Sequence, residues 1–135
     1  MPRRRVEDLA VTFRVKPNTG RCYFEVLIFK NYPSLRRHAE WLIKKEKRDT
    51  MPGRYWAMFL PYEPGPLLGR ALFAETKISP GSVAHELNHA AIHWAALRKL
   101  RPMDDVNGPD CTQEEKFTWA HHRMVDQFHQ QFPVE

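Results

Sequence analysis

The chain is short of the residues that mark specialised protein classes. It has two cysteines, Cys22 and Cys111, too few for a disulfide scaffold, and such sparse thiols fit a reducing compartment. Six glycines without a repeat exclude a collagen-like chain. No uninterrupted apolar run approaches the ~20 residues a membrane helix requires. The basic start, Met1-Pro2-Arg3-Arg4-Arg5, leads into acidic Glu7 and Asp8 and not into an apolar signal region. A cytoplasmic protein is therefore expected, with residues 1–8 as a flexible basic N-terminus. Histidine is scarce at first: His38 alone precedes His85, and the other five of the seven follow.

What is present describes an ordinary folded chain. Of its 135 residues 42% are hydrophobic, 27% charged and 12% aromatic, which suits one domain over 1–135 with a core of its own. The formal net charge is +5, an attraction for phosphates or for any acidic partner.

Periodicity divides the chain in two. Leu9, Val11, Phe13 and Val15 alternate as in a half-buried strand, and Pro17-Asn18-Thr19-Gly20 is turn chemistry before a second strand, Cys22 to Phe29. Pro33-Ser34 opens a helix to Arg48, with Leu35, Ala39, Leu42 and Ile43 on one face. Its other face carries Arg36, Arg37, Lys44, Lys45, Lys47 and Arg48, either a solvated surface or a stripe for phosphates. Pro52-Gly53 breaks the chain, and short strands follow at Tyr55–Leu60 and Leu67–Glu75, separated by the proline-rich turn 61–66. Ser79 before Pro80 starts a long helix to about Leu100, with Ser82 as a later alternative cap. After a loop through Asn107-Gly108-Pro109, Thr112 and Glu115 have capping-box spacing at the start of a last helix. Phe117, Ala120, Met124, Val125 and Phe128 form its buried stripe. The expected class is α+β: a small antiparallel or mixed sheet packed against two C-terminal helices.

The segment with the most chemistry is Val83-Ala84-His85-Glu86-Leu87-Asn88-His89-Ala90-Ala91. His85 and His89 are four apart on a helix, so their imidazoles project from one face at successive turns and can hold one Zn²⁺. Glu86, next to the first ligand, is placed to take a proton from the water that the metal activates. Two satisfied core histidines with a solvent-facing Glu86 is the plainer alternative. A catalytic zinc needs a third protein ligand and an open position. The metzincin extension would need Gly at 92 and His at 95, where the chain has Ile92 and Ala95. His93 lies about 12 Å along the axis from His85, too far for one straight helix to wrap all three around one ion.

The last helix is the better source, and here the chain resembles the gluzincin-type zinc metallopeptidases, in which a second helix supplies a glutamate. Glu115, with Phe117, Thr118 and Trp119 after it, matches that pattern and is the third ligand the resemblance implies. The arrangement is also similar to small phage-encoded and ImmA-like peptidases, and His85-Glu86-Leu87-Asn88-His89-Ala90-Ala91 is similar to SprT-like proteases. Those use a third histidine in a His-Gly context, where this chain reads Asn107-Gly108-Pro109. The fold implied is a minimal zincin-like domain. The helical wheel turns Glu114 closer to the Phe117–Met124–Phe128 stripe, so Glu114 stays an alternative ligand. His121 and His122 are alternatives too. A histidine donor beside the metal would stabilise the oxyanion of peptide hydrolysis, and His122 is taken for that part.

These readings combine into a zinc metallopeptidase acting on a protein or peptide substrate, with Glu86 as general base, His85, His89 and Glu115 as ligands, and no membrane partner. The strand Leu67–Glu75 would offer an edge to an extended peptide, as in zincins. A second reading is a basic regulatory module on a zincin scaffold, of a phage counter-defence kind. It would bind nucleic acid through helix 36–48, or another protein.

Overall fold

The computed structural model describes residues 9–48, 56–99 and 112–134, with the backbone alone for 112–114. The N-terminus 1–8, the Pro52-Gly53 break and the loop holding Asn107 to Cys111 lie outside the described residues. Within them the chain forms a four-stranded sheet and three α-helices, in the order β1 (Leu9–Val15), β2 (Tyr23–Phe29), α1 (Tyr32–Lys45), β3 (Ala57–Pro61), β4 (Leu67–Ala74), α2 (Pro80–Leu97) and α3 (Thr112–Gln131). The class is α+β. Among the described residues no helix is long and apolar enough to cross a membrane.

The sheet is mixed, with strand order β1-β2-β4-β3. The hairpin partners β1 and β2 run antiparallel, β2 and β4 parallel, and β3 and β4 antiparallel. This corrects the expectation that Leu67–Glu75 is an edge: β4 hydrogen-bonds on both sides, and the edges are β1 and β3. The cause is burial. Six of the eight residues of β4 are buried, a near-continuous apolar run that suits an internal strand covered on both faces. Gly69 in its middle serves a close approach: a Cβ there would stand 2.8 Å from the Leu60 carbonyl oxygen and from the Phe59 ring on β3.

Helices cover both faces. On one side α1 packs Leu35, Ala39 and Leu42 against Leu27, Phe29, Leu72 and Ala74. On the other, Val83, Leu87, Ala90, Ala91 and Trp94 of α2 meet Phe24, Val26, Ile28, Ala71 and Phe73, with Ala120, Met124 and Phe128 of α3 completing the core. The Phe128 ring stands edge-on to both Phe13 and Phe73, at 5.2 Å between centroids in each pair.

Local chemistry sets where the helices begin. Asn31 caps α1, its Oδ1 accepting from the Ser34 amide at 3.0 Å, so the helix starts one residue before Pro33. For α2 the expected Ser79 cap is present, and Ser82 is its reciprocal partner and not a second start. The Ser82 amide donates to Ser79 Oγ at 3.1 Å, and the Ser79 amide donates to Ser82 Oγ at 3.0 Å.

A polar network fastens the end of α1 to the sheet. Tyr62 Oη donates to Glu46 Oε2 at 2.6 Å, Arg48 Nε donates to Glu46 Oε1 at 2.8 Å, and Arg70 Nε donates to Glu25 Oε1 at 2.8 Å. Arg70 also donates to the Tyr62 hydroxyl. Burial pushes the Glu46 carboxyl up, but the Tyr62 and Arg48 hydrogen bonds outweigh it and hold the group below its ordinary 4.5. Burial and Glu46 together push the Tyr62 hydroxyl up to about 12. A depressed carboxyl contributes stability above its unfolded-state pKa and loses it as pH falls through the folded-state value. Replacing Glu46 by Gln should therefore cost about 2 kcal/mol near neutral pH, typical of hydrogen bonds to a charged group. The difference from the parent chain should shrink below about pH 4. Urea melts of both chains at several pH values measure it.

Candidate metal centre

The periodicity of α2 decides which side chains reach solvent. Val83, Leu87, Ala90, Ala91, Trp94 and Ala95 are buried, which leaves His85, Asn88, His89, Ile92 and Ala96 exposed. Glu86 falls at the boundary and is buried beside the core residue Leu87.

His85 and His89 converge. Their Nε2 atoms are 3.1 Å apart, with ring planes at 88°. Two ligands of one tetrahedral zinc, each at about 2.0 Å, would stand roughly 3.3 Å apart, so the pair needs little adjustment to share an ion. Glu86 completes a cluster in which the donor atoms of all three residues lie within 4.8 Å of one another, a group able to hold a metal ion. Its carboxylate Oε1 lies 4.0 Å from His85 Nε2, and its side chain is 9% exposed against 69% for His85. The imidazoles thus open to solvent while the carboxylate is drawn back.

Electrostatics agrees with this division. Burial pushes the Glu86 carboxyl up, opposed by the charge His85 would carry. For His89, burial and then the neighbouring His85 both push the pKa down, which favours the neutral ring a metal needs.

The other expected site residues are placed as follows. Glu115 is exposed in the first turn of α3 and is not a member of the cluster. The Glu114 side chain lies outside the described residues. His121 is half-buried, with Nε2 3.0 Å from the Ala84 carbonyl oxygen; a carbonyl only accepts, so Nε2 carries the proton, and α3 is tied to α2 one residue before His85. His122 is exposed, 3.3 Å from Asp126 on its own helix, with its ring edge-on to Trp119. His93 is not a member of the cluster and donates to the Tyr62 carbonyl oxygen at 2.8 Å. There it borders an open cleft of about 540 Å³ with Arg48, Tyr62 and Leu67, a hollow that none of His85, Glu86 and His89 lines. Its one sequence signal was His93 itself, since the cleft joins residues far apart in the chain.

The geometry predicts about one divalent ion per chain, bound in the micromolar range or tighter and lost in a His85→Ala/His89→Ala double variant. Both side chains are exposed, so that variant should keep its circular dichroism spectrum, and calorimetric titration of both proteins with zinc decides the matter. The chain matches no family model, no curated protein and no solved structure, so the chemistry of the site rests on the residues that form it.

Proposed function

We propose that the chain is a zinc metallopeptidase on a minimal zincin-like scaffold, resembling the gluzincin-type enzymes. The observation that carries the reading is the 3.1 Å convergence of two imidazole nitrogens beside a buried carboxylate on one helix. His85 and His89 would hold the ion, with Glu115 the preferred third ligand, Glu114 the alternative on the same turn, and His121 or His122 the others. Zinc bound there supplies Lewis acidity, polarising a scissile carbonyl and making water nucleophilic at neutral pH.

The chain's own residues supply the rest. The Glu86 carboxylate takes the proton of the attacking water and passes it to the leaving amine. A carboxyl held above its usual range by burial suits both steps, because it binds a proton more readily than an exposed one. The edge strand β3, against which α2 packs, has no strand on its outer side among the described residues, a place where an extended peptide could pair. His122 would leave Asp126 to turn towards the reacting carbonyl.

Glu86→Gln separates binding from chemistry. It should retain zinc and lower hydrolysis of an unstructured protein such as casein by about a hundredfold or more, the usual reach of a general base. Undiminished cleavage by that variant removes Glu86 from the mechanism. For the third ligand, Glu115→Ala should weaken zinc binding by tenfold or more while Glu114→Ala leaves it nearly unchanged. The reverse order of the two variants in the same titration assigns the ligand to Glu114.

A further inference from the structure

Helix α1 covers only part of the sheet face on which it lies. Its contacts are with Leu27 and Phe29 of β2 and with Leu72 and Ala74 of β4, towards the C-terminal ends of those strands. By the two-residue period, Thr12 and Arg14 of β1, Tyr23 and Glu25 of β2 and Arg70 of β4 share that face. Arg14 is exposed and Tyr23, Glu25 and Arg70 are half-buried. Strand register sets Arg14, Glu25, Arg70 and Leu60 side by side across the sheet.

Cations and aromatic rings alternate over this surface. The Arg14 guanidinium lies 4.1 Å from the centroid of the Tyr23 ring, and those of Arg48 and Arg70 lie 4.9 and 5.0 Å from that of Tyr62. Arg48 and Arg70 are compensated by Glu46 and Glu25. Arg14 has no carboxylate within 4.0 Å among the described residues, and neither have Lys16 and Arg21, exposed at the same end of the hairpin. Three such cations thus stand together at the corner of the sheet that α1 leaves open, beside the Arg14–Tyr23 pair. The helix surface itself is partly neutralised, since Arg36 pairs with Glu40 at 2.9 Å and Arg48 with Glu46.

We propose that this open corner of the sheet binds single-stranded nucleic acid, with the Arg14–Tyr23 stack receiving a base and Lys16 and Arg21 meeting phosphates. The flat guanidinium over the phenol presents a second face on which an unpaired base can stack, a mode that tolerates any sequence. An acidic peptide would satisfy the cations but has no use for the stacked rings. A duplex keeps its bases stacked inside and offers none to the Arg14–Tyr23 pair.

The test uses the full chain and a fluorescein-labelled strand of about ten thymidines, read by anisotropy. Binding should weaken about sevenfold between about 50 and about 200 mM salt, as expected for two phosphate contacts on a single strand. Arg14→Glu should lower affinity tenfold or more and Tyr23→Leu about fivefold, the latter with an unchanged salt slope because a ring carries no charge. Both variants should keep the parent's zinc stoichiometry, so a failure here is distinguishable from a failure of the metal centre. The proposal is overturned if the strand does not bind, if Arg14→Glu binds it as well as the parent, or if an unlabelled blunt duplex or poly-glutamate displaces it as well as unlabelled thymidine strand does.

Discussion

The burial of one face of α2 is the constraint on which the rest depends. Val83, Leu87, Ala90, Ala91 and Trp94 follow the helical period, and only one rotation of the helix places all of them against Phe24, Val26, Ile28, Ala71 and Phe73. That rotation turns His85 and His89 outward together and leaves Glu86 at the margin. A hundred-degree change of phase, one residue, would put an imidazole into the core and a leucine into water. Each fully buried aliphatic side chain resists this by about 1.5–3 kcal/mol, so the apolar residues hold the polar ones in place. The reciprocal Ser79–Ser82 cap fixes the first turn and hence where the phase begins. The small residues Ala90, Ala91 and Ala95 let the helix lie close to the sheet, and Phe128 fills the space that remains beside Phe13 and Phe73.

A second constraint acts from the opposite face. Parallel pairing of β2 with β4 requires a connection that crosses the sheet, and α1 followed by the edge strand β3 provides it. Where α1 ends, apolar contact gives way to the Glu46–Tyr62–Arg48 network. Direction matters here: the carboxyl of Glu46 is lowered and the hydroxyl of Tyr62 raised, so across the neutral range one is a charged acceptor and the other a neutral donor. The network also holds the start of the β3–β4 turn, where the Tyr62 carbonyl accepts a hydrogen bond from His93 of α2. Both helical layers therefore bear on the same turn around the edge of the sheet.

Legibility in the sequence followed the physics of each element. The strands β1 and β2, the Ser79 cap and the buried stripe of α3 were readable because each rests on short-range pattern: alternation, a serine before proline, or three-to-four spacing. The His85–Glu86–His89 cluster was readable for the same reason, since a single helix supplies all of it. The internal position of β4 also has a signal in the sequence, for Leu67 to Ala74 carries too few polar residues for a strand with one side open, but an apolar run does not say which strands flank it. The expected end of α2 at about Leu100 lies three residues too far along the chain. The helix stops at Leu97, and Lys99 takes the left-handed φ of 57°, a place where glycine is the usual mark and where lysine gives no warning. Lys47 does the same after α1, with φ 55°. The open corner of the sheet was invisible because Arg14, Tyr23 and Arg70 meet only once three strands are in register.

The sheet also separates two kinds of chemistry. His85 and His89 project from the layer of α2 and α3, whereas Arg14, Tyr23 and Arg70 belong to the face on which α1 lies. Between them stand the alternating side chains of β2, with Phe24 and Val26 directed to one layer and Tyr23 and Glu25 to the other. A ligand on the open corner and an ion at the histidine pair would therefore lie on opposite faces of the sheet. Arg14 stands on the opposite face of the sheet from the imidazoles, where the intervening core and the solvent around it weaken its repulsion of a divalent cation at the pair. Arg98 and Lys99 just after α2, and Lys116 and Arg123 on α3, belong to the layer of the pair, and theirs is the positive charge that an ion bound there has to meet.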